Sequence, residues 1–315
     1  MQRVDLPSGI AWNSALLENV FAAFHGINNK VPVYICGKPG CSKSLAIQLI
    51  YSSMRGENSK DPYFKTLPRL FMNCYQGSTT SKSSGIINVF KKARNLIKGN
   101  STDSNSYNNN ERDSENIRRN ARNIKMINIS LNAAQAQERV ISLVFFDEMG
   151  LAEISKNNPL KVLHSELEPE LECDKVAFVG ISNWKLDASK SNRGIFIGRP
   201  DLDEEDLIIT AKTIAESYKK SELKLNNNTN NKNKNDIDIS EILNKDDIQI
   251  TELLKENCLS KYHEVFEALA KAYFHYKKQV ANENPKRDGF HGTRDFYYMI
   301  KYISKRIINA KEFLD

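Results

Sequence analysis

The chain has 315 residues, 40% of them hydrophobic and 27% charged, which supplies a sizeable core and excludes a collagen, a coiled coil or a wholly disordered polypeptide. Its 45 Lys and Arg against 39 Asp and Glu leave a net charge of +6, far below the density of a histone-like nucleic-acid arm. No stretch approaches the roughly 18 consecutive apolar residues of a membrane span, and the opening Met1 to Pro7 lacks the apolar block of a secretory signal, so a cytoplasmic protein is expected.

The first apolar run, residues 31–36, predicts a strand, and it leads into Gly37-Lys38-Pro39-Gly40-Cys41-Ser42-Lys43-Ser44 followed by the helical text that starts at Leu45. A strand, a glycine-containing turn and a helix start are what a phosphate-binding loop needs. Its backbone N–H groups, with the unpaired N–H groups at the helix start, surround the β- and γ-phosphates; Lys43 adds a point charge and Ser44 a hydroxyl for Mg²⁺. Ser42 departs from the pattern, standing where a second glycine would let backbone approach phosphate. The plain alternative is a glycine turn that carries a lysine.

A second strand is predicted at 69–73, then a helix whose Ile86, Val89, Phe90, Ala93, Leu96 and Ile97 fall on one face. Residues 99–120 read GNSTDSNSYNNNERDSENIRRN, too polar to offset an ordering cost of about 1 to 2 kcal/mol per residue, and are expected to be a disordered insertion. The third strand, 141–147, ends in Asp147 and Glu148. Asp147 is placed to hold hydrated Mg²⁺ and Glu148 to orient an attacking water, the division of labour that phosphoryl transfer requires. An acidic pair after a strand is otherwise simply solvated.

The fourth strand, 176–182, ends at Asn183, whose amide suits the attacking water or the γ-phosphate and equally suits a turn. Arg193 precedes a fifth strand at 195–198. Beyond it, residues 225–236 form a second polar insertion, with seven Asn among the ten residues 226–235. The rest is helical: Leu259, Tyr262, Phe266, Leu269, Tyr273 and Tyr276 make one stripe, and Phe296, Met299, Ile300, Ile303 and Ile307 another, with Arg294 opening the last helix. Alternating strands and helices, then helices alone, predict a parallel α/β sheet followed by a small helical domain.

The ordered series of phosphate loop, Asp-Glu strand, Asn strand tip, Arg before a strand and Gly-x-Arg in a helical segment resembles an AAA+ ATPase module. The phrases GKPGCSKSLA, FDEMGLAEISKNNPLKVLHSELE, VAFVGISNWKLDASKSNRGIFIGRPD and GFHGTRDFYYMIKYI are similar to modules of the mysterin type, giant AAA+ proteins that also carry a RING-type ubiquitin ligase. The resemblance covers nearly the whole chain apart from the two insertions. It implies a P-loop core with a five-stranded parallel sheet of order 5-1-4-3-2 over residues 1–218, an insertion or linker at 219–250, and a helical lid at 251–315. It implies ATP and Mg²⁺ as cofactors, a phosphate loop of residues 37–45 with Lys43 and Ser44, Asp147 and Glu148 as the acidic pair, Asn183 as first sensor, and Arg294 as second sensor. Arg193 matches the arginine finger that acts on a neighbouring module, with Arg199 its rival, and a serine at the Ser42 position reads as a trait of the type.

Other features limit the resemblance. Cys36, Cys41, Cys74, Cys173 and Cys258, with His25, His164, His263, His275 and His291, lack the spacing of a RING finger, so any ligase activity lies outside these residues. The chain holds one module where the mysterin type has several, which suggests a piece of a larger polypeptide partnered by neighbouring modules and, through other regions, by ubiquitin machinery. Two alternatives stand beside a Mg²⁺-dependent ATPase: a module that keeps ATP as a structural ligand, for which Ser42 speaks, and a nucleic-acid remodeller. The basic clusters Lys91, Lys92, Arg94 and Arg118, Arg119, Arg122 suggest the latter, but the second has no interleaved aromatics to stack bases, which makes nucleic acid an unfavoured partner.

Overall fold

The computed structural model describes residues 3–102, 139–168, 175–230, 245–283 and 291–311. They form two compact units, the first built from Met1–Asp5, Asn19–Gly37 and Lys43–Arg199, the second from Leu6–Glu18, Lys38–Ser42 and Pro200–Asp315.

In chain order the elements are α1 (Ser14–Asn28), β1 (Val33–Gly37), α2 (Lys43–Ser53), α3 (Pro62–Lys65), β2 (Arg69–Gln76), α4 (Ser83–Thr102), β3 (Val140–Asp147), α5 (Met149–Glu153), α6 (Leu163–Leu167), β4 (Ala177–Ser182), α7 (Ala188–Ser191), β5 (Ile195–Arg199), α8 (Glu204–Asn230), α9 (Lys245–Glu283) and α10 (Thr293–Lys311). The five strands make one sheet in the order β2-β3-β4-β1-β5, every pair parallel, as the resemblance implies. β4 is buried along its whole length and β3 and β1 nearly so, which accounts for their unbroken apolar text, because helices must cover both faces of a parallel sheet. β5, at one edge, is mostly exposed.

The core of the first unit joins Tyr34 of β1, Phe146 of β3 and Phe178 of β4 to Ile86, Phe90 and Ala93 of α4. Phe90 and Phe178 stack with centroids 5.9 Å apart. The helical stripe read from the sequence is therefore the buried face of α4, except that Leu96 is exposed.

In the second unit Leu207, Ala211, Ile214 and Ala215 of α8 pack with Phe266, Ala270 and Tyr273 of α9 and with Phe296 and Ile300 of α10. Ala15 of α1 joins this core, and Asp206 fixes that helix start by accepting from Ser14 N at 2.7 Å. The apolar face of α8 is spent on this core, and the second unit runs from Pro200 and takes in the short segments 6–18 and 38–42.

The polar text also differs from expectation at its edges. α4 continues through Thr102 and α8 through Asn230, so residues 99–102 and 225–230, expected to open disordered insertions, close helices instead. Once a helix exists each further residue adds a backbone hydrogen bond, which carries it past the end of its apolar pattern. Residues 103–120, with Arg118 and Arg119, and residues 231–236 lie outside the described residues, as do Arg122 and Cys173. α9 begins at Lys245, so 245–250, expected in the linker, are helical.

Candidate nucleotide site

In a parallel sheet all strands end at one edge, and here β1, β3 and β4 bring Gly37, Asp147 and Asn183 to it. Gly37 is required as glycine by close approach, since a Cβ there would stand 2.6 Å from the Cβ of Arg199 in the neighbouring β5. Lys43 opens α2 and is almost wholly buried, at 7% exposure. Its Nζ donates to the carbonyl of Gly37 and, at 3.2 Å, to Oδ1 of Asn183. Asn183 in turn donates through Nδ2 to Oε2 of Glu148 at 2.8 Å. One amide thus joins the lysine to the carboxylate, with its oxygen facing the cation and its nitrogen the anion.

Asp147 closes β3 and Glu148 lies just beyond it. Glu148 adopts a left-handed conformation, φ 50°, and starts α5, and its N–H donates back to Asp147 Oδ1 at 2.8 Å. A left-handed non-glycine residue costs about 1 to 2 kcal/mol, so the turn is held by what surrounds it. Part of the hold is Gly77, whose N–H donates to the Asp147 carbonyl at 2.8 Å and whose missing side chain leaves room for the Glu148 carbonyl. Gly77 escaped the sequence reading; its only signal is a glycine directly after a strand.

Burial, the largest influence, raises the Asp147 carboxyl above its ordinary value; the Glu148 N–H and Lys43 pull it down and the Glu148 carboxylate pushes it up. A half-buried carboxylate held up in this way would gain from a neighbouring cation. Among the described residues no group of three or more His, Cys, Asp and Glu forms a metal cluster.

Ser42 is left-handed as well, φ 56°, the conformation that the second glycine of such a loop would adopt freely. The serine therefore strains the loop without redirecting it. Ser42→Gly should raise stability by about 0.5 to 1 kcal/mol, read as a higher denaturation midpoint, with Mg-ATP affinity undiminished. A fall in either would show that the hydroxyl itself is needed.

Arg193 and Arg199 stand at opposite ends of β5. Arg199 is in register with Gly37 at the strand-end edge. Arg193 lies before the strand, where Ile195 N donates to the Pro32 carbonyl at 2.8 Å, and its Nη1 meets Glu168 Oε2 at 2.5 Å. Five residues of strand span about 16 Å, so Arg193 lies at the end of β5 opposite Arg199. Of the basic cluster on α4, Arg94 is paired with Glu166 at 2.7 Å, while Lys91 and Lys92 are exposed.

Within the second unit, Lys38 pairs with Asp201 at 3.1 Å, Cys41 Sγ lies 3.7 Å from the Pro200 carbonyl, and Tyr297 donates to the Gly40 carbonyl at 3.1 Å. Arg294 is exposed in the first turn of α10.

The sequence model of the family described as RNF213 AAA domain matches residues 9–110 and 105–206. The chain belongs to the RNF213 AAA domain family. RNF213 is mysterin, so the resemblance read from the sequence holds. The chain is 35% identical over 234 residues to the E3 ubiquitin-protein ligase rnf213-beta of Danio rerio, covering 72% of this chain and 4% of that protein. With the human E3 ubiquitin-protein ligase RNF213 it shares 36% over 220 residues, 68% of this chain and again 4% of the relative. It thus spans about 4% of the length of the curated relatives it matches. Among solved structures, PCH-2 of C. elegans superposes with a TM-score of 0.40 at 12% identity, covering 95% of this chain and 70% of that one. Among the described residues no helix is long and apolar enough to cross a membrane.

Proposed function

We propose that this chain binds ATP with Mg²⁺ and hydrolyses it, as one AAA+ module of a larger mysterin-type ubiquitin ligase, in a cytoplasmic setting. The observation that carries the reading is the chain of contacts from Lys43 through Asn183 to Glu148, beside Asp147, at the end of a parallel sheet. Lys43, released from the Gly37 carbonyl, binds phosphate oxygens together with the backbone N–H groups of residues 38–44. Ser44 and Asp147 would hold Mg²⁺, which when bound neutralises charge on the phosphate oxygens. Glu148 accepts the proton of the attacking water, and Asn183 keeps its carboxylate oriented. We assign Arg294 the second-sensor role and Arg193 the finger offered to a neighbouring module. The conformational cycle, the ubiquitin machinery and the neighbouring modules belong to the larger protein.

Lys43→Ala tests the reading directly. It should weaken Mg-ATP binding about a hundredfold or more, because the phosphates lose charge-assisted hydrogen bonds in a largely buried setting. Calorimetric titration giving the parent affinity in the variant would remove the loop from nucleotide binding.

A further inference from the structure

The tip of the phosphate loop is held by a residue that the nucleotide reading leaves without a role. Gly40, φ 98°, is left-handed, and a Cβ on it would stand 2.8 Å from the Cβ of Thr293. Thr293 is buried at the first position of α10, and one turn later Tyr297 donates its hydroxyl to the Gly40 carbonyl at 3.1 Å. Burial first, then Cys41, Asp206 and Tyr273, push the Tyr297 hydroxyl well above its ordinary pKa, so it remains a donor throughout the working pH range. The start of α10 is itself fixed: Asp295 accepts from Gly292 N at 2.9 Å, and Phe296 stacks on Tyr273 with centroids 4.6 Å apart. The backbone of Gly40 is therefore set from outside the loop, by two side chains of one rigid helical turn.

We infer that Tyr297 is a positioning residue for ATP, which sets the phosphate loop through the Gly40 carbonyl and ties its conformation to the first turn of α10. The inference rests on the ATP reading proposed above. A loop that binds with its N–H groups works only if those groups already converge, and a carbonyl anchored from behind fixes the peptide plane whose N–H belongs to Cys41. Arg294 lies three residues before Tyr297 in the same turn.

The test is Tyr297→Phe, which keeps the ring and its packing and removes only the donor. In the nucleotide-free protein, amide hydrogen exchange of the peptide covering residues 37–44 should accelerate about three- to tenfold, the equivalent of one net hydrogen bond, while exchange in α9 stays at the parent rate. Mg-ATP affinity by calorimetry should fall by a similar factor. Unchanged exchange in the loop overturns the anchor, and faster exchange with parent affinity overturns the positioning role. Acceleration in α9 as well as the loop would reduce Tyr297 to a general packing residue and overturn the inference too. A parent protein that binds no Mg-ATP overturns the ATP reading and the positioning role together, a result distinct from the others because the exchange measurement needs no nucleotide.

Discussion

Glu148→Gln should bind Mg-ATP with the affinity of the parent and lose hydrolysis by about two to four orders of magnitude. The geometry makes the substitution unusually clean. Asn183 Nδ2 donates to Glu148 Oε2, and a glutamine presents a carbonyl oxygen in the same place, so Asn183 keeps both its partners and Lys43 keeps its link to Asn183. What disappears is basicity, since an amide oxygen cannot take the proton that the attacking water must shed. The left-handed turn at residue 148 is unaffected by the change, because its strain is in the backbone. Single-turnover hydrolysis with excess protein separates chemistry from release, and calorimetry reports affinity. If the single-turnover rate is the parent's, the proton goes elsewhere and the acidic pair is a structural turn.

The sheet was legible in the sequence because strands covered on both faces must be apolar throughout, and all five lie within a few residues of the runs that announce them. The placement of the candidate residues was legible for a related reason: Gly37, Asp147 and Asn183 each close or follow an apolar run, and a parallel sheet brings every such end to one edge. Their partnerships were not. That Asn183 serves Glu148 and Lys43 depends on β4 lying between β3 and β1, an adjacency that the resemblance implies and alternation alone leaves open, and on side-chain rotamers that neither reveals. The left-handed conformations of Ser42 and Glu148 were also hidden, because both carry side chains that local preference would place elsewhere. Tyr297 was the least visible of all, since its partner is a backbone carbonyl 257 residues away. Where composition alone spoke, in the Asn-rich text, it marked the start of each polar segment too early, because helix propagation tolerates several polar residues once an apolar face has been buried.

This chain alone should turn ATP over slowly, and mixing Arg193→Ala protein with Glu148→Gln protein should restore part of the rate that each variant lacks. On the proposed reading, Arg193 stands at the start of β5, away from the edge that carries Lys43, Asp147 and Glu148, so it serves the site of an adjoining module. Its present partner is no obstacle. Glu168 is 60% exposed and Arg193 27%, and a pair so open to water contributes at most about 1 kcal/mol. An arginine supplied to phosphoryl transfer from outside is worth about 10³ to 10⁵ in rate, or roughly 4 to 7 kcal/mol of barrier, several times the cost of leaving Glu168. That difference also exceeds the strain at Ser42, so the missing neighbour rather than the unusual loop should set the rate of the isolated chain. Turnover per chain should accordingly rise with protein concentration if chains associate. In the mixture an Arg193→Ala chain keeps its own Glu148 and receives Arg193 from a Glu148→Gln neighbour, which neither variant can do with copies of itself. Fast turnover independent of concentration, and indifferent to Arg193→Ala, would end the assignment and move it to Arg199, which lies beside Gly37 at the nucleotide edge of its own sheet.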